Sequence, residues 1–156
     1  MTSTSRTLFA VSEIELIYRN KLKPEDRLKI QDATTAYEIL MTVWDLNKIE
    51  LVEQFYVMML DRNNACIGVS NVATGGVTSC IVDPRIVFGI ALKSRATGLI
   101  LAHNHPSGNL VPSNADKQLT HKLREGGKLL DISVLDHLII SGKDYSSFAN
   151  MGYMPS

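Results

Sequence analysis

Two histidines lie two positions apart, in His103-Asn104-His105, directly after the apolar run Leu99–Ala102. Because residues i and i+2 of an extended strand point to the same side, both imidazoles can converge on one ion where this strand ends. The sequence Pro106-Ser107-Gly108 then predicts a loop, and Asp116 falls in the first turn of a helix that Ser113 can cap. Two imidazoles and one carboxylate are suitable zinc ligands, and three protein ligands are typical of catalytic zinc sites. We therefore predict a zinc site here.

The same segment resembles the JAMM signature of the JAB/MPN metalloprotease superfamily, in which His-x-His is followed by seven residues, a serine, two residues and an aspartate. More narrowly, His103–Gly108, Pro112-Ser113 and Asp131–His137 are similar to the RadC family of bacterial JAB-domain proteins. The resemblance covers nearly the whole chain from about Phe9. The ligands that it implies for a zinc cofactor are His103, His105 and Asp116.

The JAMM signature also requires a glutamate well upstream, and two candidates precede the apolar run that ends at Leu60. The family places this acid beside the start of the strand in a Glu-x-Phe pattern, which Glu53 matches and Glu50 does not. A zinc ion lowers the pKa of a bound water toward about 7, and a nearby carboxylate can take that proton and pass it to a leaving amine. The resemblance therefore implies that Glu53 is the catalytic proton shuttle; a solvated carboxylate at a strand start is the alternative.

Ser113 can be a catalytic donor, the N-cap of the following helix, or both. By the family resemblance, its hydroxyl is a catalytic donor that stabilises charge on the attacked carbonyl oxygen, an effect worth about 3–4 kcal/mol in oxyanion sites. In the other interpretation, Ser113 is the N-cap of the following helix and nothing more.

Asp136 and His137 form a second family-like feature. Adjacent residues of a strand point to opposite faces, so the two side chains cannot both enter the metal site. We expect one of them to orient a ligand imidazole, with Asp136 as the favoured partner. A purely structural, hydrogen-bonded role is the alternative. His121 lies among charged residues in the middle of a predicted helix and is interpreted as a solvated surface residue.

The resemblance implies a zinc-dependent hydrolase that cleaves an amide bond in a peptide or protein substrate. The alternative is a non-catalytic RadC-like accessory protein in DNA repair or mobile-element DNA metabolism. Longer family members carry a helix-hairpin-helix region before the JAB domain, whereas the residues before Glu53 predict a strand and one helix, so we interpret the chain as a short form. A zinc deaminase is excluded, because its His-x-Glu and Pro-Cys-x-x-Cys pattern does not occur.

Lys+Arg and Asp+Glu both number 16, so no global field favours nucleic acid, and charge does not support a nucleic-acid partner. The apolar runs are far shorter than the roughly 18–20 residues that span a bilayer. The N-terminal residues also lack the pattern of a signal peptide, so we expect a cytoplasmic protein without membrane contact. The sequence leaves a homo-oligomer open. Cys66 and Cys80 are interpreted as reduced core residues.

The pattern predicts a frayed end at 1–8 and a single α/β domain at 9–156, a mixed β-sheet packed with helices. The resemblance implies the JAB/MPN fold, which is similar to that of cytidine deaminases. The predicted strands are Phe9–Tyr18, a hairpin of Glu53–Leu60 and Ala65–Ala73, Leu99–Ala102, Ile132–Ile140 and a last strand from Tyr145, with a strand-like run at Val77–Ile81. The predicted helices run from Thr34 or Thr35 to about Asp45, from Pro84 to about Arg95, and from the Ser113 cap to a stop at Gly126-Gly127.

Overall fold

The computed structural model describes residues 11–15, 17, 19–77 and 79–156. The frayed end predicted at 1–8 lies outside these residues, and so does part of the strand predicted at Phe9–Tyr18. Where that segment is described, it has no regular secondary structure. The apolar residues of this segment that are described do not reach the core, since Val11 is 83% exposed and Ile14 is 91% exposed. For the described part of this segment, the strand prediction is therefore wrong.

The described residues form an α/β domain with one five-stranded sheet, in the strand order β2-β1-β3-β4-β5. Strands β3 and β4 are parallel, and the other neighbouring pairs are antiparallel. This is the predicted mixed sheet. The helices are a short 3-10 turn at Pro24–Asp26, α1 at Ala33–Val43, α2 at Pro84–Lys93, α3 at Asn114–Leu129 and α4 at Phe148–Met151. The strands are β1 at Gln54–Leu60, β2 at Cys66–Thr74, β3 at Gly98–Asn104, β4 at Ser133–Ile140 and β5 at Tyr145–Ser147.

Apolar side chains cover both faces of this sheet, and β1 and β3 are buried along their whole length. Helices α2 and α3 cover one face, where Leu99 and Leu101 of β3 contribute to the core. Helix α1 covers the other face, where Ile100 and Ala102 point. The alternation along β3 therefore continues to its end and places His103 on the α2/α3 face. None of the described helices is both long and apolar enough to cross a membrane.

The predicted hairpin is confirmed, whereas helix α1 and the run at Val77–Ile81 depart from the prediction. Helix α1 begins earlier than expected, because Asp32 caps it by accepting a hydrogen bond from the backbone N–H of Thr35 at 2.8 Å. Its last residue is Val43, and Trp44 follows as C-cap. The strand-like run at Val77–Ile81 has no regular structure where it is described. Cys66 and Cys80 are free thiols at the margins of the two cores.

The predicted stop of α3 at Gly126-Gly127 is wrong, because the helix continues to Leu129. The two glycines instead allow close packing. A Cβ built on Gly127 would lie 2.3 Å from the backbone oxygen of Ile132, and one built on Gly126 would lie 2.9 Å from the ring of Phe88. The helix ends where Asp131 takes a positive φ of 56°, and the chain then turns into β4.

The close contact at Gly127 predicts that Gly127→Ala destabilises the protein, although alanine favours helix. The added methyl group meets a backbone oxygen that cannot rotate away, so we expect the free energy of unfolding in urea to fall by about 1–3 kcal/mol. The matched control is Gly89→Ala in α2, where nothing lies within 4 Å of the added Cβ. That variant should gain about 0.5–1 kcal/mol. Equal stability of the two variants would contradict the packing role.

Candidate metal centre

The register of β1 against β3 brings the candidate site residues together. Phe55 of β1 lies opposite His103 of β3. Glu53 comes two residues before Phe55, and His105 comes two residues after His103, so the antiparallel pairing carries these two side chains toward each other. The distant glutamate and the histidine pair therefore meet at one end of the sheet.

Four side chains converge at this end of the sheet, and each of them offers a ligand atom within 4.8 Å of the other three. The Nε2 atoms of His103 and His105 are 3.0 Å apart. Each also lies 3.2 Å from a carboxylate oxygen of Asp116, and His103 Nε2 lies 3.8 Å from Glu53 Oε1. The structure thus places Glu53, His103, His105 and Asp116 in one cluster. Glu50 is exposed and lines the cavity beside it.

Asp116 is delivered by the first turn of α3 through a capping box with Ser113. The hydroxyl oxygen of Ser113 accepts from the backbone N–H of Asp116 at 3.0 Å, and Asp116 Oδ2 accepts from the backbone N–H of Ser113 at 2.8 Å. Burial opposes ionisation of Asp116, but its close contacts with both imidazoles and the hydrogen bond from the Ser113 backbone outweigh this effect and hold the pKa of Asp116 well below the usual range. Ser113 is therefore the N-cap, as one interpretation predicted.

His105 is oriented by the loop that follows β3. Its Nδ1 donates to the backbone carbonyl of Asn109 at 2.6 Å, since a carbonyl can only accept. The neutral ring then presents the Nε2 lone pair to the cluster. In the metal-free protein a proton can take the same place, and the hydrogen bond to Asp116 is the main cause that raises the pKa of His105. Protons and a metal ion therefore compete for this nitrogen.

Glu53 is a buried carboxylate, only 8% exposed. Burial raises its pKa, while the nearby His103 and His105 act in the opposite direction. A cavity of about 460 Å³ opens beside Glu53 and His105 and is also lined by Val77 and Pro106. An acid with a raised pKa next to an open cavity is suited to exchanging protons with a bound molecule. The negative charges of Glu53 and Asp116 also add to burial in raising the pKa of the Cys80 thiol to about 11.

Asn104, the residue between the two histidines, holds the segment that carries Glu53. Its side chain points to the other face of β3 and is fully buried. It accepts from the backbone N–H of Gln54 at 2.8 Å and donates to the carbonyls of Ile49 and Val52 at 2.7 and 2.9 Å. This role of Asn104 was not predicted from the sequence. The signal that could have indicated it is that Asn104 is a polar residue which continues the alternation of a strand buried on both faces.

His137, rather than the favoured Asp136, contacts a candidate ligand. His137 Nε2 lies 2.7 Å from His103 Nδ1. The side chain of Asp136 instead accepts from the Ser147 hydroxyl at 2.6 Å and from the backbone N–H of Ala149 at 2.9 Å.

A bulge at Leu135 of β4 causes this exchange of roles. Leu99 of β3 pairs with Val134, but the next residue, Ile100, pairs with Asp136, so Leu135 has no partner in β3. This bulge turns His137 toward the α2/α3 face, and Asp136 is structural.

The donor set fits a divalent metal ion. Ligand atoms about 2.0–2.2 Å from a tetrahedral Zn²⁺ lie roughly 3.3–3.6 Å from one another. The nitrogens of His103 and His105 and the oxygens of Asp116 have separations of 3.0–3.2 Å. Neutral imidazoles and a carboxylate would repel one another at these distances unless a shared cation or a proton stands between them. Nitrogen and carboxylate donors are those that zinc accepts, although other divalent ions accept them too.

A mixed sheet with this cluster at the end of β3 defines a JAB/MPN-like fold with a candidate metal site. The RadC-like JAB domain family matches residues 30–153. A UPF0758 protein of Flavobacterium johnsoniae is 39% identical over 148 residues, which cover 95% of this chain and 64% of that protein. A UPF0758 protein of Finegoldia magna is 47% identical over 122 residues, 78% of this chain and 53% of that protein. The chain therefore belongs to the RadC-like JAB domain family.

A third relative, a UPF0758 protein of Chlorobaculum parvum, is 38% identical over 135 residues, 86% of this chain and 59% of that protein. The chain thus spans less than two thirds of the length of these three relatives. Their shared name states no activity.

Asn104→Ala should destabilise the protein strongly, because it leaves one buried backbone N–H and two carbonyls without their partner. We expect a loss of about 2–4 kcal/mol in the free energy of unfolding, measured in urea. The matched control is Asn47→Ala, an exposed position whose change should stay within about 0.5 kcal/mol. An Asn104→Ala protein as stable as wild type would show that the hydrogen bonds of the Asn104 side chain do not hold the segment that carries Glu53.

Proposed function

We propose that this protein is a zinc-dependent hydrolase that cleaves an amide bond in a peptide or protein substrate. The observation that carries the proposal is the convergence of Glu53 with the ligand atoms of His103, His105 and Asp116 within 4.8 Å. A purely structural zinc site is commonly closed by four cysteine or histidine ligands. Here two imidazoles and one carboxylate would hold the ion, and the fourth group is a carboxylate beside an open cavity.

When bound, zinc would supply a Lewis acid that polarises the carbonyl and acidifies water. The residues of this chain supply the rest. Glu53 would take a proton and return it to the leaving amine, and its buried position with a raised pKa suits both steps. Ser113 uses its hydroxyl oxygen to cap α3, which leaves the hydroxyl hydrogen free to donate to the oxygen that gains negative charge.

A reducing, cytoplasmic setting suits this proposal, since the two cysteines are free thiols.

The alternative is a non-catalytic accessory role in DNA metabolism. A scaffold would have no use for a carboxylate held in the metal cluster, and the formal net charge of +0 gives no general attraction to nucleic acid. Substitution of Glu53 therefore distinguishes the hydrolase from the accessory protein.

The first test is the metal content of protein purified without a histidine tag. We expect about one zinc per chain in the wild type and none in His103→Ala/His105→Ala. His121→Ala is the matched control, because His121 is exposed on α3 and should keep the metal. Zinc should also be released as the pH falls, because protons bind His105, whose pKa is raised by Asp116. Equally low zinc in the wild type and the double variant would remove the metal site from the proposal.

The second test asks whether the bound metal does chemistry. Glu53→Gln keeps the size of the side chain but removes the proton acceptor, so it should keep zinc and lose about 10²- to 10⁴-fold in turnover. Cleavage can be followed by mass spectrometry on a peptide library and on isopeptide-linked peptides. Glu50→Gln is the control, an exposed acid beside the same cavity that should keep both zinc and turnover. A zinc-loaded wild type that cleaves none of these substrates would favour the accessory role.

A further inference from the structure

A buried chain of polar groups runs behind the metal cluster, from the backbone of α3 to His103. The hydroxyl of Thr120 lies 2.8 Å from the backbone carbonyl of Asp116 and 2.6 Å from Nδ1 of His137. His137 Nε2 lies 2.7 Å from His103 Nδ1. Thr120 and His137 are 0% exposed and His103 is 2% exposed, so these contacts form without solvent.

The carbonyl at the start of this chain sets the direction of every hydrogen bond in it. A carbonyl can only accept, so the Thr120 hydroxyl donates its single hydrogen to the backbone carbonyl oxygen of Asp116. The same oxygen must then accept from His137, which places a hydrogen on His137 Nδ1. Only then are both short contacts of Thr120 hydrogen bonds.

His137 passes this direction on to His103, because the neutral ring carries one hydrogen and one lone pair. With its hydrogen on Nδ1, its Nε2 accepts, so His103 Nδ1 must donate. The ring of His137 is stacked on Phe148 with centroids 4.6 Å apart and meets the ring of Phe55 edge-on at 5.5 Å. An unpaired cation would be costly in these surroundings. The full burial of His137 between these two rings therefore favours the neutral imidazole.

We infer that Thr120 and His137 are positioning residues that fix the Nδ1–H tautomer of His103 and aim its Nε2 lone pair at the metal. The inference rests on the proposed metal site. His105 reaches the same tautomer through one backbone carbonyl, that of Asn109. His103 lies deep in the sheet and uses two side chains for the same purpose. Asp116 and Thr120 are four residues apart on one face of α3, so this helix provides one ligand and orients another.

The tautomer can be measured directly in metal-free protein. In ¹⁵N-labelled wild type, long-range ¹H–¹⁵N correlations should show a hydrogen on Nδ1 and none on Nε2 of His103, at a pH where the ring is neutral. Thr120→Val removes the acceptor with little change in shape, and His137→Phe removes both ring nitrogens while keeping an aromatic ring. Both variants should show a mixture of the two His103 tautomers. Thr120→Ser keeps the hydroxyl and should restore the wild-type pattern.

The second readout is zinc affinity, measured by competition with a chelator. Loss of a partner that orients a ligand histidine typically costs about 10- to 100-fold in metal affinity, and we expect a loss in this range for Thr120→Val. Thr120→Ser should bind as the wild type does, which distinguishes the hydroxyl from the space that the side chain fills. Circular dichroism and urea unfolding check that each variant is folded, and the Thr120 pair decides the result if His137→Phe does not fold.

The inference is overturned if wild-type His103 carries its hydrogen on Nε2, or if Thr120→Val leaves both the tautomer and the zinc affinity unchanged. Failure of the proposed function gives a different result. A protein that binds zinc and has the expected tautomer, but cleaves no peptide, would support the positioning role and reject the hydrolase. A protein that binds no zinc would reject the metal site, and the tautomer of the metal-free protein would still decide whether the buried chain orients His103.

Discussion

The antiparallel register between β1 and β3 is the constraint on which the site depends. It is fixed by the pairing of Phe55 with His103 and by the three hydrogen bonds of the Asn104 side chain. A shift by one residue would turn Glu53 to the opposite face of the sheet and remove the acid from the metal cluster. The backbone hydrogen bonds of the two strands and the polar contacts of one buried side chain thus act together.

Strand β3 carries metal-ligand residues on one face and a residue that anchors a neighbouring segment on the other. His103 belongs to the face covered by α2 and α3, where the cluster forms. Asn104 faces the other way, where it holds the segment before β1. Because strand alternation separates the side chains completely, ligand chemistry and loop anchoring do not compete for space. The capping box at Ser113 combines two tasks in a similar way, since it begins α3 and holds Asp116 in place.

Much of the fold and the cluster could be predicted from the sequence because the signals were local. The hairpin, the strand before His103 and the cap at Ser113 each follow from a few adjacent residues. The positions of Glu53 and Asp116 in the cluster depend on long-range contacts, and the family resemblance indicated these residues. The errors came where tertiary packing decides. Gly126 and Gly127 lie within the helix, where the absence of a side chain allows Phe88 and the backbone of Ile132 to pack closely. His137 faces the site because β4 bulges at Leu135.

The bulge at Leu135 also bears on how this region can change in evolution. Substitution of Leu135 keeps the number of residues in β4, so His137 stays on the face of the cluster. Deletion of Leu135 itself would remove the bulge and restore regular pairing, with Val134 still opposite Leu99 and His137 still opposite Leu101. An alignment of relatives in this region is therefore informative for its gaps as well as for its residue types. A relative whose β4 pairs regularly would need one residue fewer between the positions of Val134 and His137 to keep this histidine on the face of the cluster.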